Sequence, residues 1–89
     1  MVKREVVIKN KSGLESKPAA LFIQKASNYK SEIWIEKGER KANAKSLLGV
    51  MSLSISSGTN VVIIADGDDE GRAIAELEEY LNSGLEESV

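Results

Sequence analysis

Two short segments hold the residues with chemistry to offer. In Ser12-Gly13-Leu14-Glu15-Ser16-Lys17-Pro18-Ala19-Ala20, a carboxylate and two hydroxyls stand where a glycine turn gives way to a proline and an apolar run. In the stretch from Asn43 to Leu53, NAKSLLGVMSL, Ser46 comes directly before a group of leucine and methionine side chains. The chain has neither histidine nor cysteine. That removes imidazole acid–base chemistry, thiolate nucleophiles, disulfides and the commonest metal ligands together. The reactive groups left are Ser, Thr, Lys, Tyr and the carboxylates.

Two further segments resemble chemical motifs and read better as structure. DGDDEG, residues 66–71, opens like a calcium loop, with Asp66, Asp68, Glu70 and Gly71 at its first, third, fifth and sixth positions. Its twelfth position is Leu77, where a bidentate Glu is required. Acidic residues at this point also suit the start of a helix, whose dipole favours them. GERKANAKS, residues 38–46, ends like a phosphate-binding loop but lacks the second glycine, and it is predicted to be a hairpin. Lys37, Arg40, Lys41 and Lys45 then guard a solvated edge against pairing.

The elements that must position these residues follow from periodicity. A chain of 89 residues fits one domain, 1–89, with a single modest core. At 42% hydrophobic and 29% charged residues its composition is that of a folded chain. The β-branched run at 4–10 predicts a first strand, ended by the glycine at 13. Ala19, Phe22, Ile23 and Ala26 recur at the spacing of one helix face. Ser12 and Glu15 have capping-box spacing, but a start at Ser12 would put Pro18 inside the helix at a cost of about 3 kcal/mol. A start at Glu15 or Ser16 puts Pro18 in the first turn, and either side chain is then expected to accept a bond from a free backbone N–H.

Ile33 and Ile35 alternate with polar neighbours in a strand at 31–37, which leaves Trp34 on the opposite face. Residues 40–44 pair with it as a hairpin. Ser46 N-caps a brief helix starting near Leu47. The most apolar strand, 60–66, is the central one. A last helix, with Ala73, Ile74, Leu77, Tyr80 and Leu81 on its apolar face, is capped by Asp68 or Asp69 and ended by Gly84. The fold class is therefore α+β: an open-faced sandwich of order βαββαβα, built on a split βαβ unit. Its four-stranded, largely antiparallel sheet has three helices on one face and water on the other.

Both chemical segments, in this element order and at this separation, resemble the HPr family, the small phosphocarriers of the bacterial phosphotransferase system. The similarity runs over nearly the whole chain. The family signature around its phosphorylated histidine reads roughly T/S-G-I/L-H-A-R-P-A, and Gly13, Leu14, Pro18 and Ala19 fit it. Glu15 stands where the family has histidine, and Lys17 where it has arginine. The second segment resembles the family's regulatory serine site, N-x-K-S-I/L-M-G-x-M-S-L, with Ser46 as the serine.

A carboxylate has no nitrogen on which to carry a labile phosphoryl group, and Lys17 lacks the bidentate fork of arginine. A serine phosphate is a stable ester, suited to signalling. The pattern is similar to the catabolite-repression branch of the family. That likeness implies a non-catalytic protein without metal or cofactor, phosphorylated at Ser46 by the ATP-dependent HPr kinase/phosphorylase. The transcription regulator catabolite control protein A would then bind it as a corepressor.

The same likeness implies a partner surface made of Glu15, Lys17, Ala20, Ser46, Leu47, Leu48 and Met51; Leu53 reads instead as a core residue of the short helix. A formal charge of −2 offers no general attraction to nucleic acid. With no apolar run long enough for a bilayer and no signal-like segment after MVKRE, the expected location is cytoplasmic and off the membrane. Two other readings stay open: a phosphocarrier using a non-histidine acceptor, and an interaction domain that has lost both functions.

Overall fold

The computed structural model describes residues 1–83 and shows seven elements in the expected order. They are β1 (Val2–Val7), α1 (Ser16–Ala26), β2 (Glu32–Lys37), β3 (Arg40–Asn43), α2 (Leu47–Ser52), β4 (Asn60–Asp66) and α3 (Glu70–Ser83). The helix stop expected at Gly84 lies outside the described residues. No helix among the described residues is long and apolar enough to cross a membrane.

The strands lie in the order β1-β4-β2-β3, every neighbouring pair antiparallel. β1 and β2 both run against β4, which separates them, so they are parallel to each other and form the split βαβ unit. The most apolar strand is thus an interior one, as its composition predicts. Val61, Ile63 and Ala65 point to one side of β4 and are buried there. Their partners across the ladder, Val6, Ile35 and Ile33, are buried on the same side.

The helices close over this face. Phe22 from α1, Val50 from α2 and Leu77 from α3 are each fully buried in the one core. Burial of a side chain such as Phe22 stabilises the fold by roughly 1.5–3 kcal/mol. Ile23, expected on the buried face of α1, is half-buried and packs at the margin of the core. Tyr80 closes the gap between helices: its ring is buried, and its hydroxyl donates to the Pro18 carbonyl oxygen at 2.9 Å. The first turn of α1 is thereby tied to α3.

The structure corrects several expectations. The first strand spans residues 2–7, not 4–10. Val2 and Lys3 already pair with Ala65 and Ile64; beyond Val7, Ile8 still exchanges backbone bonds with Thr59 and Gly58 ahead of β4, and the Lys9 N–H donates to the Leu81 carbonyl on α3. Arg4 faces the helix side, yet at the sheet edge it stays exposed and reaches Glu78 on α3 at 2.9 Å. The open face of the sheet is not all polar: Ile64, opposite Trp34 in the ladder, is 2% exposed. Lys41 lies over the Trp34 ring at 4.9 Å from its centroid, a cation–π contact.

Asp69 stands just before α3, where a cap was expected, but its carboxylate serves another element. It accepts bonds from the Ser31 hydroxyl at 2.5 Å and from the Lys30 and Ser31 N–H groups at 2.8 and 3.0 Å. These bonds pull its pKa from an ordinary 3.8 down to about 2, the Ser31 hydroxyl having the largest effect. A depressed carboxylate stabilises the fold above its unfolded value and loses that contribution as pH falls towards its folded value. The difference in melting temperature between the wild type and Asp69→Asn should therefore be constant near neutral pH and shrink from about pH 4 to about pH 2. A difference that holds steady through that window would contradict this assignment.

Candidate functional site

The segment carrying Glu15 is a tight turn held at both ends. Leu14 is fully buried, and its N–H donates to the Ile55 carbonyl at 2.9 Å. Pro18 is buried in the first turn of α1, where its missing N–H costs nothing. Between these anchors Ser16 takes a left-handed φ of +54°, a conformation that costs a non-glycine residue about 1–3 kcal/mol and persists only where neighbours enforce it. Glu15, Ser16 and Lys17 are consequently all exposed, and Ala20 is exposed one turn further along α1.

Glu15 occupies the N-cap position, as the proline predicts, but its side chain makes no cap hydrogen bond. The expectation that it caps α1 is therefore wrong. The left-handed residue after it breaks the regular geometry in which an N-cap side chain reaches the N–H groups of the first turn. Its carboxylate faces water.

Ser46 behaves as expected. It is the N-cap of α2, and its Oγ accepts from the Gly49 N–H at 3.1 Å. Ser46 as a residue is half-buried. A six-residue helix has little stability of its own, and within α2 only Val50 is buried, followed by Leu53 just beyond the end. The other large apolar side chains point outward: Leu47 is 42% exposed, Leu48 83% and Met51 39%. The fold thus places Leu53 inside and Leu47, Leu48 and Met51 outside.

Two lysines hold this helix in place, a role the sequence does not reveal. Lys37 Nζ donates to the carbonyls of Leu53 and Ser54 at 3.0 and 2.9 Å, satisfying acceptors at the C-terminal end of α2. Lys45 Nζ donates to the Tyr29 carbonyl at 2.7 Å, fixing the residue before Ser46 to the loop after α1. The expected solvated basic edge is therefore reduced to Arg40 and Lys41, both exposed on β3. Their common signal is only proximity in sequence to α2 and to its flanking strand.

The two chemical segments share a support. The Leu14 N–H and the Gly13 backbone rest against Ile55 and Ser56, the stretch that follows α2, and α1 packs directly on α2. The exposed Glu15, Lys17 and Ala20 thus stand on one anchored body with the exposed face of α2. The acidic segment is separate. Asp69 is engaged with Ser31, and Glu70 accepts from the Gly67 N–H while pairing with the N-terminal amine at 3.1 Å.

Comparison with known proteins bears on this arrangement directly. The profile for the PTS HPr component phosphorylation site matches residues 2–83. This chain belongs to the HPr family. Among its relatives are two proteins named HPr-like protein Crh. That of Bacillus subtilis is 46% identical over 81 residues, 91% of this chain and 95% of the relative. That of Halalkalibacterium halodurans is 49% identical over 77 residues, 86% and 92% of the two chains. Among solved HPr-family structures, HPr-C-His from Thermoanaerobacter tengcongensis superposes with a TM-score of 0.95 at 47% identity, each chain covered completely. The open-faced sandwich inferred from periodicity is the HPr fold.

Proposed function

We propose that this chain is a regulatory member of the HPr family, phosphorylated at Ser46 by HPr kinase/phosphorylase. In that state it is bound as corepressor by a transcription regulator of the catabolite control protein A type. The observation that carries this reading is the division of labour within α2. A half-buried serine adjoins three outward apolar side chains, while the helix is fixed to the body by Val50, Leu53, Lys37 and Lys45. A phosphate added to Ser46 places roughly two negative charges beside an apolar contact surface without touching the core. Modification changes what the surface offers a partner and leaves the fold as it is.

The first segment supports a signalling role over a relay role. Glu15 stands where the family resemblance puts the phosphorylated histidine, and its uncapped carboxylate has no ring nitrogen to bear a phosphoryl group. Glu15, Lys17 and Ala20 form the neighbouring part of the partner surface. The two relatives named HPr-like protein Crh point the same way. The protein itself catalyses nothing in this scheme and works in the cytoplasm.

Incubation with ATP and HPr kinase/phosphorylase, followed by mass analysis of the intact chain, tests the assignment. The wild type should gain one phosphate and Ser46→Ala none. Because Ser46 also caps α2, its replacement costs about 0.5–2 kcal/mol, so a circular-dichroism melt must show the variant folded. Phosphate appearing on the folded variant would refute the site.

A further inference from the structure

We propose that Gly49 keeps the Ser46 hydroxyl open to phosphoryl transfer, an inference that rests on the reading of Ser46 as the modified residue. Gly49 lies in the middle of α2 (Leu47–Ser52), where glycine is the poorest helix former after proline and the helix is too short to stand alone. Its backbone does not require glycine, since it is absent from the positive-φ residues. Space is what distinguishes the position. A Cβ added there would stand 3.2 Å from Ser46 Oγ, 3.4 Å from Ser46 Cβ and 3.5 Å from Ala42 Cβ. The nearest of these is tighter than ordinary van der Waals contact, and the atom concerned is the reactive oxygen itself.

The consequence follows from the reaction. Ser46 Oγ attacks the γ-phosphorus of ATP; the Oγ–P bond forms, the bond from that phosphorus to the bridging oxygen breaks, ADP leaves, and the hydroxyl proton passes to a base on the kinase. Oγ already accepts from the Gly49 N–H on this side, and it must present a lone pair in line with the nucleotide while three phosphate oxygens spread around the new bond. With glycine at 49 that flank carries no carbon. A methyl group there pushes on the oxygen and on the phosphate that replaces its proton. Gly49 acts through Ser46 as a positioning residue and does not touch the nucleotide.

The test is steady-state phosphorylation by HPr kinase/phosphorylase with ATP, using the full chain and the variants Gly49→Ala and Gly71→Ala. Gly71, in the first turn of α3, has nothing within 4 Å of a Cβ built on it and serves as the helix-glycine control. Gly49→Ala should lower kcat/KM by about tenfold or more, the scale of an overpacked contact. The loss should fall on kcat with KM for the protein substrate little changed, because Leu47, Leu48 and Met51 remain in place. Gly71→Ala should behave as the wild type.

Equal rates for folded Gly49→Ala and the wild type would overturn the proposal. So would a melting temperature for Gly49→Ala lower by ~10 °C or more, which would assign the glycine to the fold. A wild type left unmodified at Ser46 would remove the reading beneath it, and the proposal with it.

Discussion

Replacing Leu48 by Glu should strongly weaken recognition by the regulator while leaving the protein folded. Leu48 is 83% exposed, so a polar side chain there costs the monomer nothing in burial. Surface changes of this kind shift stability by about 0.5 kcal/mol or less. If Leu48 is one of the few hot-spot side chains of the contact surface, each worth about 2 kcal/mol or more, affinity of the Ser46-phosphorylated chain for the regulator should drop by about 30-fold or more. The added carboxylate also lies near the phosphate, and like charges repel. Calorimetric titration of phosphorylated wild type and Leu48→Glu against the regulator measures the difference. Equal affinities would show that the outward face of α2 is not the surface that is read.

The second large effect concerns the turn beneath Glu15. Gly13 has a φ of +69°, and a Cβ built on it would lie 2.3 Å from the Ile55 carbonyl oxygen and 2.8 Å from Ser56 Cα. Gly13→Ala therefore combines an unfavourable backbone conformation with a clash against main-chain atoms that cannot rotate away. Together these should cost about 2–5 kcal/mol, out of a total stability of about 5–15 kcal/mol for a domain. Thermal denaturation should show a midpoint lower by ~10 °C or more.

Gly38 separates the two contributions. It has a similar φ of +61° but open space within 4 Å of its Cβ position, so Gly38→Ala should cost only about 1–2 kcal/mol. If Gly13→Ala and Gly38→Ala melt together, close approach to Ile55 is not what fixes the loop. Because Leu14 bonds to the same Ile55 carbonyl, disturbance of Gly13 should also reach the segment that ends α2.

What could be read in advance was local, and what could not was long-range. Alternation set the faces of β2, the apolar run 60–66 set β4 as an interior strand, helical spacing set the buried stripes of α1 and α3, and Pro18 set the start of α1. Each of these depends on residues within a turn or a strand. Ser46 was legible as a cap because an N-cap acts on an N–H three residues away.

The roles that escaped depend on partners distant in the chain. Lys37 and Lys45 sit near α2, but their acceptors, Leu53, Ser54 and Tyr29, are each 16 or 17 residues away. Position in the sequence offers Asp68 or Asp69 as a cap for α3, but the Asp69 carboxylate bonds to Lys30 and Ser31, 39 and 38 residues distant. Glu15 failed as a cap for a different reason: spacing identifies the N-cap position, but cannot show that the next residue turns left-handed. The burial of Ile64 on the open face, where it stands between Trp34 and Lys3 in the ladder, likewise belongs to a register that no local pattern supplies.

In the function proposed above, this HPr-family chain carries phosphate as a signal at one segment and does not relay it at the other. Mass analysis of one purified preparation, divided between ATP with HPr kinase/phosphorylase and phosphoenolpyruvate with the first enzyme of the phosphotransferase chain, measures both halves at once. A single phosphate on Ser46 is expected in the first sample and an unmodified chain in the second. Phosphate acquired from phosphoenolpyruvate and passed to a sugar-specific component would contradict it.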